Sequence, residues 1–565
     1  MTETSPSVEA DRKLLAEAES RRGLTRCRAY LRLSGPGWLQ GAITLGGGSL
    51  ASSLYLGVIA GVSLLWLQPL SMILGLVMLS AIAYVALSTG ERPFRSINQH
   101  INPVLGWGWL LSSLVANMVW ALPQYSLFYG AMENNLAPSL FGKGAALEGD
   151  VGKWTCSLCV LAVSTLIVWS YGTGHWGVKL YERILKIVVA LIVLCFFSVV
   201  AKMAIVSDDF SWSEIAAGFI PDPRQLFEPV GKLGELVAAI GDVAARDYWT
   251  NVVVQEQREV MISAAATAVG INMTFLLPYS MLAKGWSREF RGLVTFDLST
   301  GMFIPFVLVT SCVIIASAVP FHGQLPEGVQ IVDGDVSVPD NIAGDYEKRL
   351  GTRSVMLEGS ISLEEKTLAA AMLRRNAGAL ATSLESLFDG DKLMANFVFG
   401  LGVAGMALST ISLLMLISGF VVCEVLNVPS TGWPHRLGCM VAATGVLWPL
   451  LWKGETKFWL AIIASNFGMV LLPVAYVTFF LMMNSRSLLG DDMPRGGKRL
   501  LINLLMTIAT AASGLAAIWV VWNKCERGLG SKGIENGGWY GMAAIGLFVA
   551  LVVVGHLVRS RGSAP

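Results

Sequence analysis

The chain has 565 residues, of which 54% are hydrophobic and 14% charged, and its mean hydropathy is +0.59. That balance excludes a soluble domain with a polar surface and places the chain among polytopic membrane proteins. The formal net charge of +1 excludes little alone, but the short basic N-terminal stretch fits topology or anionic lipid contact rather than nucleic-acid binding.

Residues 1–34 read as a polar tail without the apolar core of a signal peptide, so the first apolar run acts as the signal anchor. A helix needs about 20 mainly apolar residues to cross a bilayer, and about twelve such segments follow. They lie near residues 35–62, 64–88, 104–132, 154–171, 184–206, 259–283, 294–319, 395–424, 437–452, 456–483, 500–522 and 538–558. Arg12, Lys13, Arg21, Arg22, Arg26, Arg28 and Arg32 precede the first, and the loops on the same side carry Arg92, Arg95, Lys179, Arg183, Lys284, Arg288, Arg291, Arg486, Arg495, Lys498 and Arg499. The positive-inside rule then puts both termini in the cytoplasm of a multi-pass cell-membrane protein.

Two long loops lie on the opposite side. In residues 207–258, three prolines precede the mixed stretch Leu236 to Gln257, which reads as a further helix at the surface. In residues 320–394, Ser362-Leu363-Glu364-Glu365 has capping-box spacing ahead of Leu368, Ala371 and Met372, predicting a short amphipathic surface helix. Cys156 and Cys159 form a Cys-x-x-Cys with no second pair or nearby histidine to complete a zinc site, so they read as structural.

The spans offer almost no ionisable group at depth. The five histidines sit in loops or at span ends, and Glu133, Asp297 and Glu424 fall near the interfaces. No nucleophile with its base is present at depth, so an enzyme is not expected, and neither is a cofactor. The interior supplies neutral oxygen instead: Gln40, Thr44, Ser49, Asn117, Gln124, Asn272, Thr274, Ser409, Thr410, Ser412 and Asn466.

Two spans look broken. Gly46-Gly47-Gly48-Ser49 interrupts the first, and glycine is about 1 kcal/mol worse than alanine inside a helix. Gly270-Ile271-Asn272-Met273-Thr274 interrupts the sixth, where Pro278 pushes the Thr274 carbonyl out of the helical ladder. Backbone freed within hydrocarbon is tolerated only in protein or along a polar cavity. Interrupted helices at corresponding positions of two halves point to a transporter with inverted repeats and a midplane site. The candidate substrate or metal residues are Gly46, Gly47, Ser49, Gly270, Asn272, Met273, Thr274 and Asn466.

The run Gly35-Pro36-Gly37-Trp38-Leu39 leading to Gly46-Gly47-Gly48-Ser49, with Leu64-Leu65-Trp66 and Ser88-Thr89-Gly90, resembles the first two spans of the NRAMP divalent-metal transporters. Gly218-Phe219-Ile220-Pro221, Ala404-Gly405 with Ser409-Thr410, and Ser465-Asn466 with Pro473 and Asn484-Ser485-Arg486 extend the resemblance through span ten. It implies an all-α LeuT-type fold: a first repeat over residues 35–206, a second over 259–483, and spans 11 and 12 within 484–565.

The family's Asp-Pro-Gly-Asn falls on Gly46, Gly47, Gly48 and Ser49, so its metal-binding aspartate is absent here. Its Met-Pro-His-Asn falls on Asn272, Met273, Thr274 and Phe275. Loss of the carboxylate and displacement of the thioether favour a hard, partly hydrated ion, as in the NRAMP-related magnesium transporters. The resemblance therefore implies transport of a divalent cation, magnesium or manganese, without proton coupling. A neutral site also suits a small neutral or zwitterionic organic solute, and a degenerate transporter fold suits a non-transporting receptor.

Overall fold

A computed structural model describes residues 6–20, 23–171, 175–206, 210–332, 334–375, 392–452, 457–530 and 536–562. Among these, ten helices are long and apolar enough to cross a membrane, and a bent pair makes an eleventh. The bent pair is span 1, Pro36–Thr44 followed by Gly47–Ala60 at 49°. Span 2 is Leu67–Thr89, span 3 Pro103–Ala131, span 4 Asp150–Tyr171 and span 5 His175–Val206. Span 6 is Val243–Ala268 with Ile271–Ala283, and span 7 runs from Arg291–Leu298 through a wide turn into Ile304–Phe321. Span 8 is Lys392–Val425, span 10 Lys457–Met483, span 11 Gly496–Gly530 and span 12 Gly537–Gly562.

The segment expected at 437–452 is not a regular span. It is Gly432–Cys439, a tight 3-10 stretch Met440–Leu447, and Trp448–Leu451. Gly445 lies so close to Ala121 and Tyr125 of span 3 that a side chain there would overlap both. Completing the twelve, this segment 9 is shaped by its approach to span 3, which hydropathy does not reveal.

The expected surface helix over Leu236 to Gln257 is also corrected. Gly231–Ala238 is a short helix, but from Val243 the chain is already span 6, capped by the Asp242 carboxylate, which accepts from the Ala245 N–H at 2.8 Å. Charged residues hid this start. They are met by partners distant in sequence: Glu256 by Arg349 at 2.7 Å, and Glu259 by Lys524 at 2.9 Å and Arg527 at 3.0 Å.

The loop after span 7 folds into a lid. A two-stranded hairpin, Gln330–Val332 with Asp335–Ser337, leads to helix Asp340–Met356 and then Leu363–Ala371. The capping box at Ser362 and Glu365 is formed, yet the helix is no surface ornament, since Leu368, Ala369 and Ala370 are wholly buried. Glu365 Oε1 accepts from Arg353 Nε at 2.6 Å and Trp249 Nε1 at 3.0 Å, fastening the lid to span 6. Beyond it the Tyr55 hydroxyl of span 1 donates to the Arg375 carbonyl at 2.9 Å, and the Arg374 guanidinium lies 4.0 Å over the Trp459 ring of span 10. Residues 376–391 of the expected loop lie outside the described residues.

Burial pushes the Glu365 carboxyl up, but the Arg353, Ser362 and Trp249 donors outweigh it and hold the group below its ordinary value. A carboxyl depressed in the folded lid contributes stability that is complete above the ordinary glutamate value of about 4.3 and is lost as pH falls through the lower folded value. Hydrogen exchange of residues 363–371 is therefore expected to be flat between about pH 5 and 7, after correction for intrinsic rates, and to accelerate below about pH 4. Equal protection at acid and neutral pH contradicts the Glu365 clasp.

Candidate transport site

Both breaks are short and neither relies on left-handed backbone. Gly46 is extended at φ −94°, ψ 179°, and Gly270 at φ −89°, ψ 161°, conformations open to any residue. The glycines are needed for clearance. A Cβ on Gly46 would run into Thr410 Oγ1 of span 8, one on Gly47 into Leu127 of span 3, and one on Gly270 into the Trp120 ring. Span 6 resumes at Ile271 and continues through Pro278, so the break is confined to Val269 and Gly270 and does not extend to Thr274 as the sequence suggests.

The four helix ends surround one cavity, with room of about 40 Å³ for the centres of water-sized groups. That is room for more than one water. Its lining side chains are all uncharged, and Thr44, Ser49, Gln124, Thr267, Asn272, Thr410 and Ser465 carry hydroxyl or amide groups. The C-terminal ends of Pro36–Thr44 and Val243–Ala268 bring carbonyl oxygens, each end carrying about half a negative charge. The N-terminal ends at Gly47 and Ile271 bring N–H groups and the opposite charge.

Hydroxyl groups cap the carbonyl side. Thr44 Oγ1 reaches the carbonyls of Thr267 at 2.7 Å and Ala268 at 2.9 Å, and the Ser49 hydroxyl donates to the Thr44 carbonyl. Each carbonyl has two lone pairs, and rotation of a hydroxyl turns its oxygen from donor to additional ligand. On the other side the Gly47 N–H donates to Gln124 Oε1 at 2.9 Å, and the Gly270 N–H to Met273 Sδ at 3.3 Å. Asn272 is wholly buried, and neither of its amide atoms has a hydrogen-bond partner among the described residues.

Of the sequence candidates, Gly46, Ser49, Gly270, Asn272 and Met273 line the cavity together. Gly47 is not among the lining residues; its N–H donates to Gln124, which is. Thr274 also faces elsewhere: its hydroxyl donates to the Ile271 carbonyl and accepts from Trp109 Nε1 at 2.9 Å. Asn466 is buried outside the lining, and its neighbour Ser465 takes that place. Sequence reasoning missed Thr267 and Trp120. The Trp120 indole donates to the Ala464 carbonyl at 2.7 Å and lies against Gly270 and Gly468, two glycines that were the available signal.

A second buried cluster went unread in the sequence. Asp297 of span 7 accepts from the Gly35 N–H at 3.0 Å and the Gly37 N–H at 2.7 Å, holding the start of span 1. Beside it Lys284 Nζ and Glu182 Oε2 pair at 2.8 Å with side chains only 5% and 7% exposed, and Lys186 Nζ donates to the Ser34 carbonyl at 2.6 Å. Glu182 was overlooked because span 5 begins at His175, nine residues earlier than its apolar run.

Spans 1 and 6, interrupted around a buried cavity, together with the other candidate spans and the irregular segment 9 among the described residues, define a LeuT-type membrane fold of two inverted five-helix repeats with two helices appended. Structures of the Eremococcus coleocola manganese transporter are similar to it, with a TM-score of 0.66 over 96% of this chain and 97% of theirs. Identity is 13% for the complex with an aromatic bis-isothiourea substituted compound and 12% for a histidine-to-alanine mutant. A family model described as natural resistance-associated macrophage protein-like, Nramp, matches residues 37–523. The chain belongs to the Nramp family. Comparison with curated proteins finds no match.

Proposed function

We propose that this chain transports a hard divalent cation, magnesium or manganese, in partly hydrated form, by alternating access at the cavity between spans 1 and 6, uncoupled from protons. Family membership supports a divalent metal as cargo. The observation that carries the finer reading is the neutral cavity at the two helix breaks, with hydroxyl and amide side chains in its wall. Carbonyl, hydroxyl and amide oxygens suit magnesium or manganese, and magnesium commonly keeps several of its waters. Met273 lines the cavity, and its sulfur accepts from the Gly270 N–H, which occupies one of its two lone pairs.

No fixed charge in the cavity wall offsets a dication, so the ion keeps water in place of stripping it. The membrane potential supplies the drive, about 4.6 kcal/mol per 100 mV for two charges moving inward. In this reading the protein lies in the cell membrane with both termini cytoplasmic, and the lid closes the outer face.

Proteoliposomes enclosing a pH dye test this directly. Uptake of magnesium or manganese is expected to rise with an inside-negative potential while internal pH stays constant. Absence of divalent flux at any pH removes the cation reading, and proton movement accompanying the metal removes the uncoupled one.

A further inference from the structure

Away from the transport cavity, a groove of about 620 Å³ opens between spans 2, 7 and 11 on the membrane face that carries the N-terminus. Its walls are apolar, with Leu76 on span 2, Val294 on span 7, and Ile502 and Leu505 on span 11. Its end at the membrane face carries Arg291 and Lys498. At 1.5 Å per helical residue, the distance from Lys498 to Leu505 is about 10 Å, the same scale as the upper half of an acyl chain.

The charge at this end is unbalanced. Segments 288–291 and 491–499 contain five Arg and Lys against three Asp and Glu. Asp492 alone serves two arginines, Arg288 at 2.5 Å and Arg291 at 3.1 Å. Arg291 is held in place by Ser88 Oγ at 2.8 Å and by the Tyr84 ring, 4.9 Å from its guanidinium carbon. Lys498 has no hydrogen bond or ion pair among the described residues and is exposed.

We propose that this groove is a binding site for one anionic phospholipid, its phosphate between Lys498 and Arg291 and one acyl chain along the apolar walls. Charge complementarity selects the headgroup, because basic side chains at the membrane surface attract anionic lipid. The walls select a lipid over a free phosphate, because burial of the chain adds to binding with each methylene. Seated there, the lipid joins span 11 to the repeat core at spans 2 and 7.

Native mass spectrometry of the full chain, delipidated and then exposed to an equal mixture of dioleoyl phosphatidylglycerol and dioleoyl phosphatidylcholine, tests the proposal. One phosphatidylglycerol is expected to be retained at least fivefold over phosphatidylcholine. Lys498→Gln is expected to bring that ratio below twofold, and Lys498→Arg to restore it. Equal retention of the two lipids, or an unchanged ratio in Lys498→Gln, overturns the site. Displacement of bound phosphatidylglycerol by millimolar glycerol phosphate overturns the role of the acyl groove.

Discussion

Replacing Asn272 with leucine is expected to lower divalent flux at least tenfold while leaving the protein about as stable as before. The two effects separate because Asn272 is wholly buried at the cavity with neither amide atom partnered among the described residues. No protein group among the described residues bonds to this amide, so an apolar side chain of similar shape strands no partner. A structural asparagine behaves oppositely: its loss strands partners and destabilises. A tenfold loss of flux corresponds to about 1.4 kcal/mol of barrier if Asn272 contacts the hydrated ion in passage. The measurements are initial uptake in proteoliposomes and thermal unfolding of the same preparation. Full flux in Asn272→Leu displaces the site from this cavity, and a folded yield well below wild type shows that Asn272 holds structure instead.

The second large effect is expected at the start of span 1. Glu182→Gln leaves the Lys284 ammonium buried without its carboxylate, a situation that typically costs about 3–5 kcal/mol. The damage is expected to propagate, because the pair adjoins Gly35, where a Cβ would meet both the Glu182 carboxylate and the Lys284 ammonium. Asp297 anchors the same segment through two backbone N–H groups. The double substitution Glu182→Leu with Lys284→Met removes both charges and is expected to recover most of the loss, since well-packed apolar replacements of buried pairs are often neutral. Unfolding of Glu182→Leu, Lys284→Met and the double gives the coupling energy. Additive losses show that the pair is not the interaction that holds this end.

Much of the architecture was legible in the chain. The apolar runs gave the membrane segments in order, and the three glycines at 46–48 with Ser49 and the Gly270 position marked the two breaks. The errors have separate causes. Segment 9 departs from a regular helix because Gly445 is drawn against span 3, and span 6 begins early because Glu256 and Glu259 find arginine and lysine partners far along the chain. The lid helix carried a readable cap at Ser362 and Glu365, but its burial depends on Trp249 and Arg353, which lie on other elements.

The sequence alone determined that the chain crosses a membrane many times and where two of its helices fail, because hydropathy and the cost of glycine in a helix are local properties. Only the tertiary structure decided which atoms meet at those breaks. Successive residues on a helix point about 100° apart, so a shift of one position exchanges Ser465 for Asn466 at the cavity wall, and helix rotation decides that Thr274 turns to Trp109 while Met273 turns inward. The same is true of Gly46. Its absent side chain is legible in sequence, but only the packing shows Thr410 Oγ1 standing where the first side-chain atom of an aspartate would have to go.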